Sequence, residues 1–408
     1  MPPSAPTTHD LPSALRVVLT GAVALAVAMG IGRFAFTPLL PLMLRDGTLD
    51  AARGAEWAAA NYIGYLLGAL TAARFGAQPL HGLRWALAGV TATTLLVGAL
   101  PDALLPLAGG ALRLAAGVFS AWALVCTSAW CMAELARRGA AHAAAWMYVG
   151  VGTGIALTGL LAWLGGMQTA RALWLELAVL ASVGAVLAFT VRASASVSAP
   201  VSATAPAQAG GAARAGHWPL VLCYGSFGFG YIVPATFLPA MAREQVADPL
   251  VFGLTWPLFG AAAALSVAVA ARWLRAWPRR RVWAVAQGVM ALGTAVVLFS
   301  QALWALAAAA VLVGGTFMVA TMAGLQLARE LAPDNPTPLL ARMTVAFAAG
   351  QIAGPLLVRA LGSARPLGQD ALWWGNAAAT ALLVLTAAWL ARGAFSPVSP
   401  ADTRSPRA

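Results

Sequence analysis

The sequence has little charge and no lysine. Only 9% of its 408 residues are charged, and all 25 basic residues are arginine, whereas about a quarter of residues are charged in soluble globular proteins. Hydrophobic residues make up 61% of the chain, and the mean hydropathy is +0.79. This composition excludes a soluble enzyme and is typical of a polytopic membrane protein. The net charge of +12 is therefore expected to report membrane orientation, not affinity for nucleic acid.

Cysteine and histidine are also scarce. The three cysteines, Cys126, Cys131 and Cys223, lie in apolar runs, so we expect buried thiols and no disulfide framework. The four histidines fall in tails or loops without metal-ligand spacing. The segment from Gly150 to Gly154 resembles part of a dinucleotide-binding loop, but no strand precedes it, which favours helix packing. The sequence thus predicts no enzyme activity, no metal site and no cofactor.

Twelve apolar runs are long enough to cross a membrane as helices, which requires about 20 residues each. We place them near residues 15–44, 55–75, 84–100, 104–134, 141–166, 170–191, 218–242, 250–272, 281–300, 302–328, 339–361 and 370–391. The first run is too long for a signal-peptide core and lacks a cleavage site, so it is expected to be an uncleaved span. The predicted fold is an all-α polytopic membrane protein with twelve transmembrane helices.

The arginines that flank these runs predict the orientation, because positive charge accumulates on the cytoplasmic side. With the N-terminus inside, the inner face receives Arg16, Arg74, Arg84, Arg137, Arg138, Arg192, Arg214, Arg272, Arg275, Arg279, Arg280, Arg281, Arg329, Arg342, Arg392, Arg404 and Arg407. The outer face receives only Arg45, Arg53, Arg171, Arg243, Arg359 and Arg365. We therefore expect a bacterial inner-membrane protein with both termini in the cytoplasm.

A stretch of Ala, Ser, Pro and Gly divides the chain into two halves. Residues 192–216 have no apolar period and are expected to form a flexible cytoplasmic linker. The predicted domains are a tail at 1–13, a six-helix bundle at 14–191, the linker at 192–216, a second six-helix bundle at 217–392 and a tail at 393–408.

The two halves resemble each other at a nearly constant offset. Gly30-Ile-Gly32 and the following Leu40-Pro41-Leu42-Met43 match Gly228-Phe-Gly230 and Leu238-Pro239-Ala240-Met241 at a shift of 198. The same shift places Gly117-Val-Phe119 on Gly315-Thr-Phe317, and a shift of 196 places Met147 on Met343. Two parallel repeats of six helices are the architecture of a rocker-type secondary transporter, with the solute bound between the halves.

Two arginines lie at membrane depth. Arg33 follows the centre of the first span, and Arg113 is about nine residues into the fourth span, or roughly 13 Å. A charge at such depth costs at least about 2.5 kcal/mol, so it should face a cavity or a partner. No acidic residue lies at comparable depth in the first, second, fourth or fifth span, which favours an anionic solute with Arg33 as its anchor. A structural arginine paired with backbone carbonyls is the alternative interpretation.

Further candidates are polar or aromatic residues inside the spans. The predicted solute-binding set comprises Arg33, Asn61, Tyr65, Arg113, Tyr231, Trp256, Gln326 and Gln351; for each residue other than the arginines, an interhelical hydrogen bond or an interfacial aromatic is an equally good interpretation. Gly64 and Gly68 form a small-residue face for close helix packing. Proline removes a helical hydrogen bond, so kinks or gating bends are predicted at Pro38, Pro41, Pro239 and Pro355.

Four segments resemble the major facilitator superfamily, and more narrowly its YbfB/YjiJ group. They are GIGRFAFTPLLPLML at Gly30 to Leu44, ANYIGYLLGAL at Ala60 to Leu70, GGTFMVATMAGLQLAREL at Gly314 to Leu331 and MTVAFAAGQIAGPLL at Met343 to Leu357. Arg113 with Gly117 also resembles the superfamily's fourth-helix motif, which is associated with transport and often with proton coupling. The resemblance implies a secondary transporter.

The sequence also departs from that superfamily. The segment Phe75 to Arg84 lacks the Asp usual between the second and third helices, and the fifth helix has Thr158-Gly159 in place of the Gly-Pro of drug exporters. We therefore expect a carrier of a small organic anion that works by alternating access. It is expected to act as a monomer in the lipid bilayer, with protons as a further partner. A proton-coupled efflux antiporter for amphipathic compounds is the alternative, and a membrane sensor or scaffold without flux is a third hypothesis.

Overall fold

The structure is a computed structural model that describes residues 11–101, 103–189, 217–246, 253–274, 276–332 and 337–394. The described residues contain twelve long helices and no strand. They are α1 (Ala14–Arg45), α2 (Ala51–Thr71), α3 (Pro79–Ala99), α4 (Leu105–Arg137), α5 (Ala141–Leu164), α6 (Ala170–Phe189), α7 (Trp218–Gln245), α8 (Thr255–Trp273), α9 (Arg279–Phe299), α10 (Leu303–Leu331), α11 (Thr337–Leu361) and α12 (Ala371–Ala394).

The predicted helical membrane fold is confirmed, with helix ends shifted by a few residues. For example, α3 begins at Pro79 and not near residue 84, because proline suits the first turn of a helix, where its missing N–H is not needed. Among the described residues, eleven helices are long and apolar enough to cross a membrane. The remaining one, α2, has sufficient length but carries Arg53, Glu56 and Asn61. The predicted linker at 192–216, most of the two tails, Arg192, Arg214, Arg275, Arg404 and Arg407 lie outside the described residues.

Close helix packing depends on glycine at several crossings. In α2, a methyl group on Gly64 or Gly68 would overlap the backbone of α4 at Leu114 or Val118, which confirms the predicted small-residue face. In α5, Gly150 and Gly154 meet the backbone of α1. The glycines that resemble a dinucleotide loop therefore serve helix packing. The three cysteines are buried and free, as expected.

The two groups of six helices meet along three pairs of helices, α1 with α7, α2 with α11 and α5 with α8. We call the membrane face at which α1 begins and α12 ends the terminal face. At the opposite face, Arg359 of α11 donates to Glu56 of α2 over 2.7 Å. The backbones of α5 and α8 touch where Gly159 meets Pro257 and where Gly152 meets Ala264. The halves are thus in contact from the bundle centre to the opposite face.

A cavity lies between the halves on the terminal face. It has a volume of about 200 Å³ and is lined from one half by His142 and Ala145 of α5. The other half contributes Ala271, Leu274 and Arg279, among others from α8, α9 and α10. The bundle is therefore closed toward the opposite face and indented at the terminal face.

Candidate functional site

An irregular segment of α1 carries Arg33. Residues Ala26–Phe34 form a π-helix, a wider turn that often marks functional sites. Pro38 has no N–H to donate to the carbonyl of Phe34, four residues earlier. The π-helix ends at that residue. The departure from α-helical geometry thus precedes the prolines by several residues. Within it, Gly32 meets Ser120 of α4, where any larger residue would collide.

The guanidinium of Arg33 is buried at the contact between the two halves. Arg33 is only 3% exposed, and its Nη2 donates to the hydroxyl of Tyr231 over 3.3 Å. The guanidinium carbon lies 3.8 Å from the ring centre of Tyr65, 5.3 Å from that of Phe34 and 5.6 Å from that of Tyr62. Cation–π contacts at these distances are favourable. The Nε of Arg33 has no hydrogen-bond partner among the described residues.

Arg113 is also buried, but its guanidinium is occupied by backbone. Its Nη1 donates to the carbonyl of Gly32 over 3.1 Å, and its Nη2 donates to the carbonyl of Arg33 over 2.8 Å. Asn61 completes this arrangement, because its Nδ2 donates to the carbonyl of Arg113 over 2.8 Å and to that of Gly32 over 3.5 Å. The two side chains therefore fix the backbone that carries Arg33. The alternative interpretation of Arg33, a structural arginine paired with backbone carbonyls, thus describes Arg113 instead.

Residues related by the internal repeat meet in pairs. Arg33 bonds Tyr231, which lies 198 positions later, and the hydroxyl of Thr37 donates to the carbonyl of Ala235 over 2.8 Å, again 198 positions apart. Two residues with the same position in two repeats can touch only near the axis that relates the repeats. These contacts therefore place Arg33 and Tyr231 beside the pseudo-twofold axis, at the centre of the bundle.

Two further polar contacts surround this pair. Gln351 of α11 donates through Nε2 to the hydroxyl of Tyr231, and the hydroxyls of Tyr62 and Thr236 lie 2.8 Å apart. The carbonyl oxygens of the Asn61 and Gln351 side chains have no partner among the described residues. The centre thus combines the guanidinium of Arg33 with side-chain carbonyl oxygens that have no hydrogen-bond partner among the described residues.

The central cations are not neutralised by carboxylates. The ion pairs found among the described residues do not include Arg33 or Arg113. Glu134, a candidate for proton transfer, is bonded to Arg137 and Arg138 at the terminal end of α4. No group of His, Cys, Asp and Glu in the described part of the chain could hold a metal ion. The centre of the bundle is therefore electropositive.

Aromatic rings enclose the other side of the centre. Trp256 is fully buried, stacks on Phe259 at 4.8 Å and approaches Phe34 at 6.3 Å between ring centres. The ring of Tyr231 is nearly parallel to those of Phe317 and Phe347, at 5.4 and 5.7 Å. The predicted site set omitted both phenylalanines, although Phe317 stands in the repeat match with Phe119.

The structure brings together most of the predicted binding residues. Arg33, Asn61, Tyr65, Arg113, Tyr231 and Gln351 form one connected group, and Trp256 adjoins it through Phe34. Gln326 is separate, because it lines the cavity on the terminal face. Pro41 lies inside α1, Pro239 and Pro234 lie inside α7, and Pro355 lies inside α11. A gating role for these prolines stays a prediction.

Comparisons with solved structures agree with this fold. A nucleoside transporter, NupG, in its D323A mutant form, superimposes with a TM-score of 0.68 at 11% identity, covering 93% of this chain and 100% of its own. A second structure of NupG gives 0.65 at 12% identity, with 94% and 99% covered. A D-xylose-proton symporter gives 0.67 at 13% identity, with 92% and 97% covered. At such low identity the likeness shows the fold alone.

Comparison by sequence shows the family. No curated protein matches the chain. The family described as "Uncharacterised MFS-type transporter YbfB" matches residues 25–390, which span all twelve helices except the first residues of α1 and the last of α12. Taken with a twelve-helix fold, this match means that the chain belongs to the YbfB family of MFS-type transporters.

Proposed function

We propose that this protein is a secondary transporter that moves a small organic anion across the membrane by alternating access, without chemical change. The observation that carries the proposal is the buried guanidinium of Arg33 at the contact of the two halves, where it has no carboxylate partner. In this proposal the halves are residues 14–191 and 217–392, which the segment 192–216 joins.

An anion is the solute that this centre favours on energetic grounds. A buried charge is costly unless it is paired and hydrogen-bonded. Arg113 meets this need through two backbone carbonyls, whereas Arg33 has one hydroxyl and the faces of nearby rings. A carboxylate or phosphate would complete the coordination of Arg33, because the planar guanidinium presents a fork of donors that matches these groups.

The candidate residues then divide by role. Arg33, Tyr65, Tyr231 and Gln351 contact the solute, while Trp256 forms part of the wall. Arg113 and Asn61 are positioning residues that hold α1, and Gln326 lies on the path from the terminal face. The prolines Pro38, Pro41, Pro239 and Pro355 allow the central helices to bend. A proton that accompanied the solute would travel on the solute itself, on Glu134 or on Glu176.

The arginine distribution supports an orientation for the bundle. With both tails in the cytoplasm of a bacterial cell, the terminal face is the cytoplasmic face of the plasma membrane. The described conformation is then closed to the outside, and the protein works as a monomer in the bilayer.

Counterflow into proteoliposomes tests the proposal. We expect accumulation of one or more radiolabelled organic acids from a panel that also contains sugars and amino acids, and loss of this accumulation in Arg33→Gln. Arg74→Gln is the matched control, because Arg74 lies over Trp122 near the terminal end of α2, away from the centre. Retention of full transport by Arg33→Gln, or flux of neutral solutes alone, would contradict the proposal.

A proton-coupled efflux antiporter for amphipathic compounds is the second candidate. The observation that favours it is the set of buried aromatic rings around Trp256, which suits apolar compounds. Growth of cells that express the protein in the presence of toxic lipophilic cations separates the two functions. An anion carrier should give no protection, because a central guanidinium repels cations.

A further inference from the structure

The two halves contribute different chemistry to the centre. The first half supplies the cation, Arg33, together with the rings of Tyr62 and Tyr65 beside it. The second half supplies a connected group of aromatic rings, which we call the aromatic wall: Tyr224, Phe227, Tyr231, Trp256, Phe259, Phe317 and Phe347. The repeat-related pair shows the same division, because position 33 is a guanidinium and position 231 is a phenol.

The wall is continuous over four helices of the second half. Neighbouring ring centres in it are 4.8 to 5.7 Å apart, which is the range in which aromatic pairs attract each other. Tyr231, Phe317 and Phe347 are nearly parallel, with interplanar angles of 10° and 11°. Such a stack offers flat faces, and a flat ring fits flat faces better than a branched aliphatic group does.

Tyr231 connects the cation to the wall. Its hydroxyl accepts a hydrogen bond from Arg33, while its ring is nearly parallel to the neighbouring rings of Phe317 and Phe347. An anionic group that took the place of this hydroxyl on Arg33 would bring its attached atoms alongside the stack. A solute with a carboxylate joined to a flat ring would therefore satisfy both halves at once.

The centre is poorly equipped for a solute rich in hydroxyl groups. Recognition of a sugar or a nucleoside would call for several hydrogen-bonding side chains, since a site must pair each buried polar group. Around Arg33 in the described structure, the Nδ2 of Asn61 is committed to backbone carbonyls and the Nε2 of Gln351 to Tyr231, which leaves the two side-chain carbonyl oxygens and the Nε of Arg33 without partners. Rings outnumber free polar atoms.

From this division we infer that the transported solute is an aromatic carboxylate, with its carboxylate on Arg33 and its ring against the Tyr231–Phe317–Phe347 stack. The inference rests on the proposed transport of an organic anion and names the chemical class of that anion. The two claims fail in different ways, so one set of measurements distinguishes them.

The test compares solutes that differ in one property. Purified full-length protein is assayed for ligand-induced thermal stabilisation and for counterflow in proteoliposomes. The probes are benzoate, cyclohexanecarboxylate with the same charge and a saturated ring, benzamide with the same ring and no charge, inorganic phosphate, uridine and D-xylose. We expect benzoate to bind roughly tenfold more tightly than cyclohexanecarboxylate, and the remaining probes to give no response.

Variants then assign the discrimination to the wall. Phe317→Leu and Phe347→Leu keep an apolar side chain but remove a ring, so each should weaken benzoate binding and bring the ratio of the two acids toward one. Phe119→Leu is the matched control, because Phe119 occupies the same repeat position as Phe317 but lies in α4 against Trp122, outside the wall. It should leave the ratio unchanged.

Each remaining outcome overturns one or both claims. Equal binding of benzoate and cyclohexanecarboxylate would overturn the aromatic inference and leave the organic-anion carrier standing, whereas a response to inorganic phosphate alone would overturn both claims. Binding of uridine or D-xylose that persists in Arg33→Gln would overturn both. The absence of any thermal shift and any flux across the whole panel would also overturn both.

Discussion

Arg33 and Arg113 are buried to the same extent, yet their guanidinium groups have different surroundings. Arg113 is held by the carbonyls of Gly32 and Arg33 and so contributes to the stability of α1. Arg33 contacts a hydroxyl and aromatic faces, whereas the Nε of both arginines is without a hydrogen-bond partner among the described residues. One arginine therefore supports the backbone, and the other remains available to a solute.

This difference predicts opposite results for the same substitution. Arg113→Gln removes the donor to the buried carbonyl of Arg33 and leaves that of Gly32 with only the 3.5 Å bond from Asn61, which should lower the free energy of unfolding by about 1–3 kcal/mol. Arg33→Gln removes an incompletely paired charge and should leave that free energy unchanged or raised, while abolishing binding. Unfolding in mixed detergent micelles, with ligand binding measured on the same samples, checks both. Loss of binding by Arg113→Gln at full stability would assign it a direct contact with the solute.

At the scale of the helix, α1 illustrates what can and cannot be predicted from sequence. Its apolar length was correctly predicted, because hydropathy reports it directly. The π-helix over Ala26–Phe34 could not be predicted, since its carbonyls accept hydrogen bonds from Arg113 and Asn61 of other helices. Hydropathy alone also does not show which way a side chain faces around its helix axis. For this reason the sequence placed Gln326 in the predicted binding set, although it lines the cavity on the terminal face.

The candidate site could likewise be predicted from the sequence only in part. The repeat offset of 198 relates position 33 to position 231, and in the structure these two side chains meet beside the axis. It offered no reason to select Phe347, or to separate the functions of Arg33 and Arg113. Those depend on which side-chain atoms reach which carbonyls in three dimensions.

Glycine at helix crossings provides a prediction about packing. In Gly117→Ala the added methyl group would overlap the carbonyl of Asn61 in α2, so we expect the free energy of unfolding to fall by about 1–3 kcal/mol. Gly288→Ala in α9 is the control, because no atom lies within 4 Å of its added methyl group. It should be neutral or stabilising by up to about 1 kcal/mol. Equal effects of the two substitutions would refute the packing role of Gly117.

At the scale of the whole molecule, the contacts between the halves lie between the centre and the face opposite the tails. Besides the close approach of Gly159 to Pro257, they include three polar contacts: the hydrogen bonds from Thr37 to Ala235 and between Tyr62 and Thr236, and the ion pair of Glu56 and Arg359. Opening this face requires all three contacts to separate. The described bundle thus corresponds to one of the two end states of the proposed alternating-access cycle.

The outermost contact should influence the balance between these states. The side chains of Glu56 and Arg359 are about half exposed, so their ion pair is worth about 1 kcal/mol or less. Glu56→Gln should therefore increase the open population by at most about fivefold. The measurement is the labelling rate of Ala235→Cys by a membrane-impermeant thiol reagent, with the three native cysteines replaced by alanine.

A charge-matched control accompanies this measurement. Glu330→Gln removes an acid paired with Arg279 at 3.6 Å inside the second half, and it should not raise the labelling of Ala235→Cys. An equal rise in both variants would show that accessibility follows net charge and not the ion pair between the halves.

The placement of the cation in one half and the rings in the other bears on how a solute crosses the membrane. In the proposed alternating-access cycle each half moves as a unit, so the charged end of the solute would stay with α1 and its ring would stay with the second half. The solute is then handed from one compartment to the other without tumbling. Transport would consequently discriminate between positional isomers of a substituted ring, since each position on the ring faces the same wall at entry and at release.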